Sequence, residues 1–357
     1  MLGRPRRLAL LAEGLFTPAE AKTAVGVLRY RPGEVIAVID STRAGRTAAE
    51  CVGVGGEIPV VKDVAAAATA GADSLLVGVA PQGGELPRAW RGSVLEALRL
   101  GWDVLSGLHT FLGDDAEFAG AAAGSGARLH DLRRPPPRRP VAAGRAAAVA
   151  ATVALTVGSD CNVGKMTAAV ELVRALEARG ERATLVATGQ TGMLVADGGV
   201  AVDAVPADFV AGFTEELVIE AARDGGFVVV EGQGALHHPA YSGVALGILH
   251  GACPAALLLC HQAGRAHLRV TAAPGAFAVP PLTEVVRAHE QAARWVRPAP
   301  VVGVAVNTLG AGEAAARAAC AAASRETGLP ATDPVRFGAD PLAAALVAFR
   351  RDHAPAA

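Results

Sequence analysis

One stretch constrains this chain more than any other: Gly158, Ser159, Asp160, Cys161, Asn162, Val163, Gly164, Lys165, Met166 and Thr167. The apolar run Ala151–Val157 leads into it and a helical pattern, Met166–Arg179, leads out. A strand that empties into glycines and then a helix is built for a mainly parallel sheet covered on both faces. The glycines let the backbone curl until successive N–H groups converge, and the helix start adds its positive end. Lys165 adds a mobile point charge, so the segment is expected to hold a phosphate-bearing ligand. The chain has 30 arginines and only three lysines, Lys22, Lys62 and Lys165, which makes a lysine in this loop less incidental.

Around that loop the 357 residues divide into about two domains, at roughly 150 residues each. A hydrophobic fraction of 52% supplies large cores and excludes a disordered chain. The net charge of -1 speaks against a dominant nucleic-acid or membrane surface. Five scattered cysteines without a CxxC pair fit a reduced, cytoplasmic protein. The opening residues are read as a first strand, Leu8–Ala12, and no run is long enough to span a bilayer.

The expected architecture is α/β. Residues 1–133 alternate strands (Val35–Ile39, Ile58–Val60, Ser74–Val79, Asp103–Leu105) with helices (Val64–Ala70, Leu86–Leu100), as a Rossmann-like domain does. A Pro/Arg linker, 134–145, follows; its four prolines and four arginines between Arg133 and Pro140 read as a solvated, extended connector. Residues 146–357 form a P-loop NTPase-like domain with strands Ala183–Ala187, Phe227–Val230, Ala255–Cys260 and Pro300–Val306, and the end from Arg350 is expected to fray.

The loop departs from the common phosphate-loop pattern. Five residues separate Gly158 from Gly164, a spacing that resembles the dethiobiotin-synthetase-like branch of the P-loop superfamily. Met166 stands where a Ser or Thr hydroxyl normally ligates Mg²⁺. Thr167 is one residue on, about 100° around the helix, and does not substitute for it. A pyrophosphate that is bound but not cleaved, as in coenzyme A, suits such a loop. No metal site is expected: His237, His238 and His261 lack ligand spacing. Cys161 is either a small residue facing the protein or, with its thiol pKa lowered by the helix end and Lys165, a nucleophile.

Ligands of open α/β sheets bind at the carboxyl ends of strands. Glu231 ends the apolar strand Phe227–Val230 and is a candidate base or metal ligand. Gln233 and His237 share its loop, and His261 and Arg265 follow the next strand. Gln190, in Thr188–Gly192, lies in a glycine-bearing loop suited to lining a ligand, and Asp208 is a possible contact for an amine. Asn307 ends a late strand, where it can read a purine edge or cap a turn. In the first half, Asp40–Arg46, which contains Arg43, and Gly78–Gly84 both follow strands and end in glycine turns.

The ordered strings AKTAVGVLRY, DSTRAG, GVAPQGG, GLHTFLGDD, GSDCNVGKMT, ATGQTGM, DFVAGFTE, EGQGALHHPA and HQAGR resemble the P-loop family of the DgcN-type D-glutamate N-acetyltransferase, from about residue 13 to about 310. The resemblance implies acetyl transfer from acetyl-CoA to the amine of an acidic amino acid. It implies that Gly158 to Thr167 hold the CoA phosphates and that Glu231, His261 and Arg265 lie around the acceptor; from the residues themselves, Glu231, His261 and Lys165 are expected to be catalytic. Arg43, Gln190, Asp208, Gln233, His237 and Arg265 are expected to bind the substrate. One departure is His237–His238, where a serine and a single histidine are expected. The competing reading is an ATP-dependent carboxylate–amine ligase or small-molecule kinase using ATP with Mg²⁺. The partner is a small molecule rather than nucleic acid or membrane, and a homo-oligomer is expected.

Overall fold

Short apolar runs in the first half pair into one sheet, in the computed structural model that describes residues 6–79, 84–270 and 272–353. The strands are β1 (Leu8–Leu11), β2 (Val35–Ile39), β3 (Val60–Val61), β4 (Ser74–Val77), β5 (Asp103–Ser106) and β6 (Leu129–Asp131). All pair in parallel, in the order β3-β2-β1-β4-β5-β6. Every residue of β1 and β4 is buried. Strands covered on both faces read as unbroken apolar runs rather than as alternation, which is why the sequence shows them so plainly. The strand order reverses between β1 and β4, as in Rossmann-like sheets.

The second sheet holds β7 (Thr152–Gly158), β8 (Ala183–Val186), β9 (Phe227–Val230), β10 (Ala256–Gln262), β11 (Val301–Asn307) and β12 (Ala331–Thr332). It too is all parallel, ordered β12-β11-β10-β7-β9-β8. Its core joins Leu172 and Leu176 of helix Lys165–Ala178 to Phe227, Val229, Leu258 and Ala305 of the strands, and to Leu342 and Leu346 of helix Asp340–Asp352. β7 lies between β10 and β9, so the loop that leaves it emerges with both neighbours' carboxyl ends beside it.

By residue contacts the chain forms two units: Met1–Pro136 with Gln190–Ala204, and Pro137–Gly189 with Val205–Ala357. The excursion 190–204 is unexpected. The stretch Thr188–Gly192, expected as a loop, instead opens helix Gln190–Ala196. There Gln190 Nε2 donates to Thr23 Oγ1 (3.1 Å), Arg133 Nε donates to Gln190 Oε1 (2.9 Å) and to Gly107 O (2.7 Å), and Leu194 joins the first unit's core. Arg133 also pairs with Asp203.

Several expectations shift. Pro87 converts the start of the helix expected over Leu86–Leu100 into a 3-10 turn, Arg88–Trp90, leaving Arg91–Arg99. The Pro/Arg segment is not a merely solvated connector. Arg134 stacks over Phe111 and Arg139 over Phe209, while Arg138 pairs with Glu216. The fraying expected from Arg350 onward does not begin there: residues 350–352 continue a helix. Arg350 lies 4.4 Å over the Phe227 ring and 3.1 Å from Glu181, within helix Asp340–Asp352. Residues 80–83 of the first-half glycine turn, and 354–357, lie outside the described residues. Among those described, no helix is long and apolar enough to cross a membrane.

Candidate functional site

The loop after β7 is shaped by glycines whose replacement would strain it. A Cβ on Gly158 would sit 2.7 Å from Lys165 Nζ and 2.8 Å from Asp160 O, and Gly164 has φ +103°. Among the described residues, the N–H groups of Asn162 to Thr167 make no protein hydrogen bond. They leave a run of unpaired donors at the start of helix Lys165–Ala178, an arrangement that suits an anion. Lys165 is buried, and its Nζ donates to Asp160 O at 2.7 Å. Burial lowers its pKa, against the attraction of the Asp160 and Glu231 carboxylates.

Asp160 is wholly buried and ties the loop together. Oδ1 accepts from Cys161 N (2.7 Å); Oδ2 accepts from Arg265 Nη1 (2.6 Å) and Arg269 N (2.9 Å). Asp160, Cys161 and His238 come close enough to suggest a metal site. Their hydrogen bonds do not suit one. His238 Nδ1 accepts from Ala240 N (3.1 Å), so in the neutral ring Nε2 carries the proton, and it faces Arg269 O at 3.3 Å. The nitrogen nearest the cluster therefore has no lone pair to offer, and Arg265 already balances Asp160. A magnesium–triphosphate site fares no better: Met166 brings no oxygen donor to the loop. Of the two readings of Cys161, the lowered-pKa nucleophile is the one that the site opposes, because burial and then the Asp160 charge push the thiol up.

Protonatable groups surround the loop. Glu231 Oε2 accepts from Thr188 N (3.2 Å) and Gly189 N (3.3 Å), which holds the carboxylate at the end of β9. Gln233 Nε2 donates to Thr188 O at 2.6 Å. His237 Nε2–H donates to Ser159 O (2.8 Å), leaving the Nδ1 lone pair uncommitted, and His261 Nδ1 shares a 2.9 Å hydrogen bond with Ser159 Oγ. Burial lowers the pKa of both imidazoles, so both are neutral near pH 7 and able to accept a proton. The Gly232 N–H is committed to Thr156 Oγ1 (2.9 Å), whereas those of Gln233 and Gly234 have no partner among the described residues.

Lys165, Glu231, Gln233, His237, His261 and Arg265 thus gather in the second unit about one loop. Asp208 lies in the same unit, exposed in the first turn of helix Ala207–Ala221. Arg265 is engaged by Asp160 and Gln262 rather than left open. Gln190 and Arg43 belong to the first unit, where Arg43 lies 3.9 Å from Asp40. Asp40 itself caps the turn Ser41–Arg43, accepting from Thr42 N at 3.0 Å.

Sequence reasoning missed Arg269 and His289. Arg269 is exposed, with no ion pair among the described residues, in a stretch without any motif. His289 sits inside helix Leu282–Arg294 like an ordinary core residue, donating from Nδ1 to Val285 O at 2.8 Å. Burial lowers its pKa to about 4. Because the unfolded chain protonates first, at about 6.5, the stability contributed by the neutral ring is complete above that pH and is lost as pH falls towards 4. A loss of roughly 3 kcal/mol from this group is expected over that interval. Urea melts across the range should show His289→Phe to be less acid-sensitive than the parent.

Comparison with known proteins places these features in a family. The P-loop domain of the family of unknown function DUF1611 matches residues 140–343, and the Rossmann-like N-terminal domain of that family matches residues 41–135. A D-glutamate N-acetyltransferase from Tritonibacter scottomollicae is 38% identical over 330 residues, covering 92% of this chain and 94% of that protein. Another D-glutamate N-acetyltransferase, from a Pseudoalteromonas species, is 35% identical over 283 residues, covering 78% and 83%. The crystal structure of a DUF1611 family protein from Anabaena variabilis is similar with a TM-score of 0.91 and 38% identity, over 96% of this chain and 99% of that one. With both domains matched in order and the relatives aligned along most of their length, the chain belongs to the DUF1611 family, the P-loop family of the D-glutamate N-acetyltransferases.

Proposed function

We propose that this chain is an N-acetyltransferase that moves the acetyl group of acetyl-CoA to the amine of an amino acid, D-glutamate or a related acidic one. The observation that carries the reading is the relative named for that activity, aligned over 92% of this chain. Two features of the site support it. The phosphate cradle lacks a hydroxyl for Mg²⁺, which suits a pyrophosphate that is held and not cleaved. The groups around the cradle are proton acceptors, as an amine nucleophile requires.

The acceptor amine must be unprotonated to attack the thioester carbonyl. As the N–C bond forms, Glu231 takes the proton that the nitrogen sheds. The carbonyl oxygen gains negative charge, for which the Gln233 and Gly234 N–H groups, without a partner among the described residues, are available donors. Collapse breaks the C–S bond, and the thiolate of CoA leaves with the proton from Glu231. Arg269 is available for an acceptor carboxylate, whereas Arg265 would first have to release Asp160.

The test is a set of thermal shifts with acetyl-CoA, CoA and ATP·Mg²⁺. A ligand at 100 times its dissociation constant stabilises the folded state by about 2.7 kcal/mol, several degrees in melting temperature. CoA species are expected to give that shift, and Lys165→Ala to weaken their binding at least tenfold, as loss of a charged hydrogen bond does. A shift with ATP·Mg²⁺ and none with CoA would overturn the proposal in favour of a ligase or kinase.

A further inference from the structure

We infer that the carboxyl ends of β11 and β12 form an adenosine subsite, in which Asn307 meets the base edge, Leu309 and Val335 flank the base, and Arg336 takes the 3′-phosphate of coenzyme A. This deepens the acetyl-CoA reading and rests on it.

A ligand held by its pyrophosphate at the loop after β7 extends in two directions. On the β9 side stand Glu231, Gln233 and His237, so the thioester end belongs there. The adenosine is left the other side, where β10, β11 and β12 follow in order. Asn307 is the last residue of β11, and its amide lies against the loop: a Cβ on Gly164 would be 3.7 Å from Asn307 Nδ2. Its Oδ1 accepts from Leu309 N (3.0 Å), which fixes the amide's orientation. Nδ2 is then a half-buried double donor with no partner among the described residues. The ring nitrogens of a purine edge are acceptors of the matching kind.

The residues proposed to flank the base come from two loops clamped by one carboxylate. Buried Asp333 accepts from Thr308 N (3.0 Å) and Thr308 Oγ1 (2.5 Å) through Oδ2, and from Val335 N (2.9 Å) and Arg336 N (3.0 Å) through Oδ1. Leu309 and Val335, 67% and 44% exposed, are therefore apolar side chains in two loops anchored to one carboxylate at the carboxyl ends of β11 and β12. A single exposed apolar residue means little, but two in loops anchored to one carboxylate offer apolar surface to a flat ring. Arg336 is exposed and makes no ion pair among the described residues. A guanidinium there suits a phosphate monoester, which the Glu231 carboxylate on the β9 side would repel.

Calorimetric titration with CoA, 3′-dephospho-CoA and ATP separates the parts. Arg336→Ala is expected to weaken CoA about tenfold and leave dephospho-CoA unchanged. Asn307→Asp keeps the acceptor for Leu309 N and removes the donor, and is expected to weaken both about tenfold; Val335→Asp should do the same. Melting temperatures near that of the parent would show the variants folded. CoA binding untouched by all three substitutions overturns the subsite alone. Failure of the unsubstituted protein to bind either CoA species, with or without ATP binding, overturns the subsite and the acetyl-CoA reading together.

Discussion

Replacing Glu231 by glutamine is expected to lower kcat for acetyl transfer by about 10²–10⁴-fold, the usual contribution of a positioned general base. The amide oxygen of glutamine can still accept the Thr188 and Gly189 N–H bonds, so the turn keeps its shape and the melting temperature stays close to the parent's. The substitution removes basicity and charge but little volume. The lost charge has a second effect. Glu231 is one of the groups that favour the protonated form of Lys165 against burial. Without it the Lys165 pKa falls further, and CoA affinity should fade at a lower pH than in the parent. Single-turnover rates and CoA titrations against pH check both statements. A kcat within tenfold of the parent would remove Glu231 from the base role, and a collapse on His261→Gln would then transfer that role to His261.

Gly232→Ala is expected to be the most damaging single methyl group near the site. A Cβ there would lie 1.7 Å from Thr156 O, an atom of the β7 backbone that no side-chain rotation can move. The same glycine donates its N–H to Thr156 Oγ1 at 2.9 Å, a buried bond that the displacement would break. Overpacking of this kind costs about 3 kcal/mol or more when the opposing atom is fixed. At about 2–4 °C per kcal/mol for a domain of this size, the melting temperature should drop by roughly 10 °C, with much of the protein insoluble. The contrast is Gly243→Ala in the first turn of helix Ser242–Ala252, where a Cβ meets nothing within 4 Å and stability should hold. Equal melting temperatures for the two variants would contradict the close packing of β7 on the 231–235 turn.

The sheets and the phosphate loop were legible because their signals are local. Val35–Ile39 and Phe227–Val230 are unbroken apolar runs closed by polar or glycine residues, and both strands fall where the runs do. Helix Ala116–Ser125 escaped notice because AEFAGAAAGS has almost no polar contrast from one face to the other. β6, Leu129–Asp131, offers no apolar run to read. At the site, Glu231 and His261 could be placed because they end apolar strands. What Arg265 binds could not be read, since Asp160 lies 105 residues away and an ion pair leaves no periodic trace. The same limit hid Asp333, whose four hydrogen bonds to Thr308, Val335 and Arg336 depend on two strands meeting.

The helix Gln190–Ala196 carries a consequence for how such a chain can have been assembled. The Pro/Arg stretch is the seam between the two halves of the sequence. Yet Gln190–Ala204 sits in the polypeptide of the later half and supplies Leu194, Gln190 and Asp203 to the earlier one. A recombination at the seam that exchanged the first half for an unrelated one would strand this segment, its apolar face without a host. The replaced half would in turn lack the acceptor for Arg133. Inheritance of the two halves is therefore tied together, and shuffling them as separate cassettes would be selected against at the level of folding, before any question of catalysis arose.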